Sequence, residues 1–431
     1  MRSFALPENF KLGTATAALQ IEGGDKNNNW YDWSVKGHVK DGSSPLRAND
    51  HYNRVVEDVA LMKELNNSCY RMGLEWSRLE PEEGRFSDEA VKHYRDELTL
   101  LRDAGIEPVI TLFHFSYPLW FSEAGAFETE ACIEHFKRYT RFCAESFGDL
   151  CNEWIPVNEP NVFSVLGYMG GGWPPGKSDI RLALKVMRNL VRCHLEAYAL
   201  IHEIRWGKGW PGETKVGSAI HMRVFDPAGR SPLNKLAAVL VARMFQGAAM
   251  HATITGEFKF PLGSGTPCGK GRFSDFTGIN YYTRDMVRFS LKGGYKLSVN
   301  IGAQVNDLGW EIYPQGLYRI CKRNYELYGL PIYITENGTC DSEDVFRAHY
   351  ICDHLYEITR LIGEGIRVER YYHWTLIDNF EWLEGESARF GLIRCNFKNQ
   401  KRTVRKSGQL YSEISREKAL TEDMIKHYKL M

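Results

Sequence analysis

Residues 153–160, Glu153-Trp154-Ile155-Pro156-Val157-Asn158-Glu159-Pro160, form a short apolar run that ends abruptly in polar residues and a proline. A run of this kind fits a strand covered on both faces, as in a parallel sheet wrapped in helices. The same pattern recurs along the chain, and strand-like runs are read at 12–17, 68–76, 108–115, 153–157, 216–222, 276–282, 332–335 and 369–376. Helical patterns lie between them, at 52–65, 87–105, 128–146, 180–205, 232–254, 315–328, 342–361 and 409–419. In the first of these Val55, Val56, Val59, Leu61 and Met62 fall near one face. Ser87 is a helix N-cap by residue type, and Gly105 a stop. Eight alternating pairs favour closure over an open sheet. The predicted fold is α/β, a single (β/α)8 TIM barrel with elaborated βα loops. No linker or low-complexity tract divides the chain, so 1–431 is read as one domain, with the glycine-rich stretches 169–176 and 263–271 as loops.

Bulk properties exclude several function classes. The 54 basic residues balance the 54 acidic ones, which gives no electrostatic case for nucleic acid or an anionic membrane as partner. The ten cysteines contain no CxxC pair and the 13 histidines no HExxH, so neither a metal nor a cofactor is expected. The first seven residues are too few and too polar for a signal peptide. No apolar run is read as approaching the ~20 residues of a membrane span. A cytoplasmic protein is the expectation. Aromatic residues make up 13% of the chain, enough for a large core or for platforms that stack on sugar rings.

Barrel active sites form where strands end and βα loops begin. Strand one runs into Gln20 and Glu22, strand two carries Arg71 and ends near Trp76, and strand three ends at His114. Strand four ends in Asn158-Glu159-Pro160, strand six in Asn280-Tyr281-Tyr282, and strand seven in Thr335-Glu336-Asn337-Gly338. Strand eight reaches Trp374 and then Asp378-Asn379-Phe380-Glu381-Trp382. Two carboxylates on strands four and seven face each other across a barrel mouth, which suits glycoside hydrolysis. In a retaining enzyme one attacks the anomeric carbon and the other protonates the leaving oxygen, at a separation of ~5–5.5 Å. Their proton affinities must then be pushed apart. Glu336 is expected to stay ionised, held by Arg71 and Tyr282. Glu159 is expected to stay protonated through burial and the charge of Glu336.

These residues resemble glycoside hydrolase family one, the β-glucosidase family, across nearly the whole chain, from Phe10-Lys11-Leu12-Gly13-Thr14-Ala15-Thr16 to Arg389-Phe390-Gly391-Leu392. The family's N-E-P and T-E-N-G segments match Asn158 to Pro160 and Thr335 to Gly338. The resemblance implies a retaining β-glycosidase with Glu159 as acid/base and Glu336 as nucleophile. Its substrates would be small β-linked glucosides or oligosaccharides, with glucose, galactose and fucose left open. Gln20, His114, Asn158, Glu381 and Trp382 would recognise the sugar hydroxyls, and Trp374 would lie beneath the ring. Trp310 would line the leaving-group side, Arg71 and Tyr282 would partner the nucleophile, and Asn280 would support the acid/base. The sequence departs from the family pattern at Phe115, where Trp is common, at Pro156-Val157 before the N-E-P, at Glu75, where Ser is common, and at Glu386. None of these removes a catalytic group.

The rivals are fewer than the motif alone allows. A 6-phospho-β-glycosidase would carry a small residue in place of Glu381 and a lysine nearby, which 383–388 lacks. A thioglycosidase would lack Glu159. A non-catalytic sugar-binding barrel would have lost one of the two glutamates. A metal-dependent barrel enzyme would need clustered His or Asp at the strand ends.

Overall fold

A computed structural model describes residues 1–430. Eight parallel strands close on one another. They are β1 (Lys11–Ala15), β2 (Cys69–Gly73), β3 (Glu107–Phe113), β4 (Glu153–Val157), β5 (Lys215–Val216 and Ile220–Pro227), β6 (Thr277–Ser290), β7 (Ile332–Asn337) and β8 (Val368–Trp374). β8 pairs with β1 through Arg370 opposite Lys11, which joins the two ends of the sequence order. The remaining seam runs through the divided strand β5. Its first piece pairs with β4 at Trp154–Val216, its second pairs with β6 at Ile220–Ile279, and a bridge between Asn158 and Ala219 links them. A Cβ at Gly278 would lie 1.8 Å from the Ser218 carbonyl oxygen, so only glycine lets β6 approach β5 at this point.

All eight predicted strands are present, within a few residues of their predicted limits. β6 is the largest difference. It continues to Ser290 and turns back antiparallel through Gly294–Ser298. Two irregularities in register re-aim side chains at the mouth. Ile334 pairs with Ile279 but Glu336 with Asn280, and Met222 pairs with Tyr281 but Val224 with Arg284. Such bulges commonly adjoin active sites.

The helices cover the outside. Ser87 caps Asp88–Asp103 through its Oγ, which accepts from Ala90 N. Predicted helix 342–361 starts later, at Arg347, because the Asp341 carboxylate accepts the amide hydrogens of Val345, Phe346 and Arg347 in a preceding turn. In His51–Glu64 the residues Val55, Val59 and Met62 are buried, whereas Val56 is 70% exposed and does not belong to the apolar face. The helix after β5 is divided into Pro232–Ala242, a π turn Arg243–Gly247 and Ala248–Thr255. By length and composition this 24-residue run is apolar enough to cross a membrane, which corrects the sequence reading. Here it is the fifth outer helix, and its Ala237, Ala238 and Val241 pack with Val287 of β6. One apolar core runs from Leu6 to Leu430 through the strands and the inner helix faces. All ten cysteines are free, nine of them buried.

Candidate active site

A cavity of about 890 Å³ opens at the carboxyl ends of the strands. Glu159, Glu336, His114, Tyr282, Trp310, Trp374, Glu381 and Trp382 all line it. Gln20, Arg71, Asn158 and Asn280 are buried in direct contact with Glu381, Glu336, His114 and Glu159 respectively. Of the other strand-end residues, Glu22 turns away to accept from Arg78 Nε at 2.7 Å and Tyr94 OH at 2.8 Å. Trp76 also points elsewhere, donating to Glu80 and stacking on Tyr139.

The local chain explains why the two glutamates reach the cavity. Glu159 follows β4 with φ +42° and is the N-cap of helix Pro160–Tyr168, whose proline occupies the first turn. Proline is preorganised for that position and cannot continue a strand ladder. The left-handed backbone of Glu159 is costly for a residue with a Cβ, and such strain gathers at functional sites. Glu336 lies in the bulge of β7.

Each carboxyl has its own set of partners. Arg71 Nη1 donates to Glu336 Oε1 at 2.6 Å, and the Tyr282 hydroxyl donates to Oε2 at 2.5 Å. Arg71 is held in turn by Thr111 Oγ1, the Thr335 carbonyl and Asn158 Oδ1. Asn280 Nδ2 donates to Glu159 Oε1 at 2.8 Å, and Thr335 Oγ1 donates to Asn280 Oδ1, which fixes the orientation of that amide. His221 Nδ1 is 3.0 Å from the same Glu159 oxygen.

The wall also presents unsatisfied polar atoms. Asn158 Oδ1 accepts from Arg71 and Asn280, so its Nδ2 must be the atom 3.0 Å from His114 Nε2. That nitrogen therefore accepts, and the ring hydrogen sits on Nδ1, which has no partner. Burial and then Arg71 hold the His114 imidazole well below its usual range, in keeping with a neutral ring. Gln20 Nε2 donates to the Phe380 carbonyl and to Glu381 Oε2, while its Oε1 is also unpartnered. Rings surround these groups. His114 stacks at 5.7 Å on Trp374 and 5.8 Å on Trp382, and Trp382 meets Phe115, Trp30 and Trp173. Buried atoms of this kind next to aromatic faces are what a sugar hydroxyl set would satisfy.

The profile of Glycosyl hydrolase family 1 matches residues 2–264 and 271–420. The chain belongs to glycosyl hydrolase family 1. It is 31% identical to Beta-glucosidase A of Thermotoga maritima over 96% of this chain and 99% of that one. It is 28% identical to a Beta-galactosidase of Saccharolobus solfataricus over 98% and 97%. The solved beta-glycosidase from Pyrococcus horikoshii superposes with a TM-score of 0.92 at 33% identity, over 100% of this chain and 99% of that chain.

In this family 1 member the electrostatics differ in one respect from the sequence expectation. The expected contacts of Arg71 and Tyr282 with Glu336 are present. Burial nevertheless outweighs them and, with the charge of Glu159, pushes the Glu336 carboxyl up to about 7. Burial, and then the charge of Glu336, push Glu381 up to about 8, so it holds a proton near neutrality. Among the described residues, the arginine or lysine that lines the cavity is Arg223 alone, and it is paired with Asp285 at 2.8 Å.

His221 and Arg223 were not found from the sequence. Both lie on β5, His221 inside the predicted strand and Arg223 one residue beyond its predicted end, and both line the cavity. Phe115, one of the departures from the family pattern noted in the sequence, sits at φ +70° and packs against Trp173 at 5.0 Å.

Proposed function

We propose that the protein is a retaining β-glycosidase, a β-glucosidase foremost, with activity toward β-galactosides and β-fucosides as side reactions. The carrying observation is the pair of buried carboxyls in one cavity with unlike partners. Glu336 has a cation and a phenol in contact, whereas Glu159 has an amide and an imidazole.

The roles follow from those partners. Glu336, in contact with Arg71, is the group that can carry negative charge, and it attacks the anomeric carbon. The bond from that carbon to the leaving oxygen breaks, and Glu159 passes its proton to that oxygen. With Glu336 now an ester, Glu159 takes a proton from water, whose oxygen attacks the same carbon and releases Glu336 as a carboxylate. Two displacements retain the β-configuration. An acceptor sugar can replace water at the second step, giving transglycosylation. The unpartnered His114 Nδ1–H and Gln20 Oε1, with the protonated Glu381, supply both donors and acceptors to the sugar. Asn158 has one Nδ2 hydrogen left for the 2-hydroxyl.

The test is a panel of nitrophenyl β-glucoside, β-galactoside and β-fucoside, with Glu336→Ala as control and the first product followed by NMR. Release of β-sugar by wild type alone is the expected result. α-Sugar as first product, or turnover undiminished in the control, refutes the reading.

A further inference from the structure

A second cavity, of about 470 Å³, is lined by neither Glu159 nor Glu336. Its walls are strand β5, the divided helix after it and helix Pro314–Tyr328. That size falls within the range of small-molecule sites. Met222, Val224, Met250 and Ile320 are buried and make its interior apolar. The π turn contributes Arg243, Gln246 and Gly247 to the lining. Turns of this kind are frequent at functional sites.

Charge on this wall has one sign. Arg223, Arg243, Lys259, Arg319 and Arg323 line the cavity together with His251, and no aspartate or glutamate does. The bias is written in the chain, which carries no acid between Asp226 and Glu257. Three of the cations have acidic partners outside the lining. Arg319 is held by Asp226 through two bonds of 2.8 Å, Arg223 by Asp285, and Lys259 by Glu257 at 3.1 Å. Among the described residues Arg243 and Arg323 form no ion pair, and Arg243 spends only its Nε, on the Phe260 carbonyl at 3.0 Å. A sugar fits such a wall poorly, because its hydroxyls need acceptors as well as donors. The Gln246 amide is already used, its Oε1 accepting from Arg223 N at 2.8 Å and its Nε2 donating to the Arg223 carbonyl at 2.9 Å.

We propose that this cavity is a binding site for a small phosphate monoester with an apolar body, separate from the catalytic cavity. Two unpaired guanidiniums match the charge of roughly −2 that a phosphate monoester carries near pH 7. Arginine also grips phosphate oxygens two at a time. The apolar interior takes the body of the ligand. His251 and Tyr328, with ring centroids 6.3 Å apart, give it faces to pack on. Arg223 and Phe225 line both cavities, whereas Arg243 and Arg323 line only this one and are the residues to change.

The experiment uses the intact protein and calorimetry, with phenyl phosphate, benzoate, phenol and inorganic phosphate as probes. One phenyl phosphate is expected to bind per chain. Its affinity is expected to be at least about tenfold above that of inorganic phosphate, which lacks the body, and of phenol, which lacks the charge. Benzoate, with a single charge, is expected to bind more weakly than phenyl phosphate, and added salt to weaken both. Arg243→Ala and Arg323→Ala are each expected to cost at least about fivefold in phenyl phosphate affinity while the thermal midpoint stays in place. Failure of phenyl phosphate to bind at up to about 10 mM overturns the proposal, as does wild-type affinity in both variants. Inorganic phosphate or phenol binding as tightly as phenyl phosphate overturns the amphipathic ligand class, and benzoate doing so overturns the phosphate assignment. Each of these results is read without glucoside turnover, so the site can fail while the glycosidase reading stands, and the reverse.

Discussion

Arg223 Nε lies 3.1 Å from His221 Nε2. An arginine only donates, so Nε2 accepts and the imidazole hydrogen must sit on Nδ1, pointing at Glu159 Oε1. That oxygen then receives two hydrogen bonds, from His221 and from Asn280, while Oε2 receives none from either. The carboxyl is thereby oriented, with Oε1 acting as the acceptor, and under the proposed mechanism Oε2 is the oxygen left to exchange a proton with the leaving group. His221 is a positioning residue in this arrangement.

The consequence is a dependence on the leaving group. His221→Ala is expected to lower kcat/KM about 10- to 100-fold for alkyl glucosides, whose departing oxygen needs a proton. For dinitrophenyl glucoside, whose leaving group departs as an anion, the loss is expected to be a few-fold at most. Steady-state rates on both substrates check this. An equal loss on both would reduce His221 to a structural role.

Glu336→Gly is expected to lose about 10⁴- to 10⁶-fold in turnover. Azide entering the space left by the side chain would give α-glucosyl azide by a single displacement. Glu159→Ala with azide would give the β-azide instead, because the glycosyl-enzyme still forms on Glu336. NMR of the two products assigns the roles independently of any rate, and the opposite anomers would reverse them.

In the proposed reaction Glu336 must be ionised to attack, and its carboxyl is pushed up to about 7, so kcat/KM is expected to fall as pH drops below that region. The apparent value belongs to the Glu159–Glu336 pair. Burial drives the rise, while Arg71 and the Tyr282 hydroxyl oppose it. Tyr282→Phe removes one opposing contact, so the acidic limb is expected to move to higher pH, with about a tenfold or greater loss at pH ~6. A limb that stays in place, or moves to lower pH, contradicts this account.

Glu75 makes a stability prediction. Ser77 Oγ, with one hydrogen, lies 2.6 Å from Asp25 Oδ2 and 2.7 Å from Glu75 Oε1, so two carboxyls share one donor. Ser116 Oγ donates to Glu75 Oε2 at 2.7 Å. Burial, and then the charge of Asp25, push Glu75 from 4.5 up to about 8. Between those values the folded chain keeps a proton that the unfolded chain has released, so stability falls as pH rises through this window. Glu75→Gln keeps the neutral shape. It is expected to match wild type near pH 4.5 and to exceed it at pH ~8 by on the order of a few kcal/mol. Denaturant midpoints at the two pH values measure this, and parallel pH dependence in both proteins would reject it.

Sequence was informative wherever the signal was local. Glu153 to Pro160 reads as strand, turn and helix start because apolar run, polar break and proline are adjacent in the chain. Val56 shows how coarse such a reading is, since a residue one position from Val55 falls outside the buried stripe of the helix. The hairpin at Gly294–Ser298 was missed because its exposed residues carry no core pattern. The division of β5 was missed because it depends on the fit of Gly278 against Ser218, residues sixty positions apart.

By itself, the sequence determined the eight βα units, the strand ends on which Glu159 and Glu336 stand, and the family these motifs resemble. Periodicity and capping act within a few residues, so they are written in the chain. Only the tertiary structure decided which oxygen of Glu159 is held, that Arg71 bridges Asn158 and Glu336, and that apolar helix residues line the same cavity as the two glutamates. Those relationships join β2, β4, β5, β6 and β7 with helices from three parts of the chain. Hydrogen-bond direction and shared desolvation arise only when such distant groups are buried together.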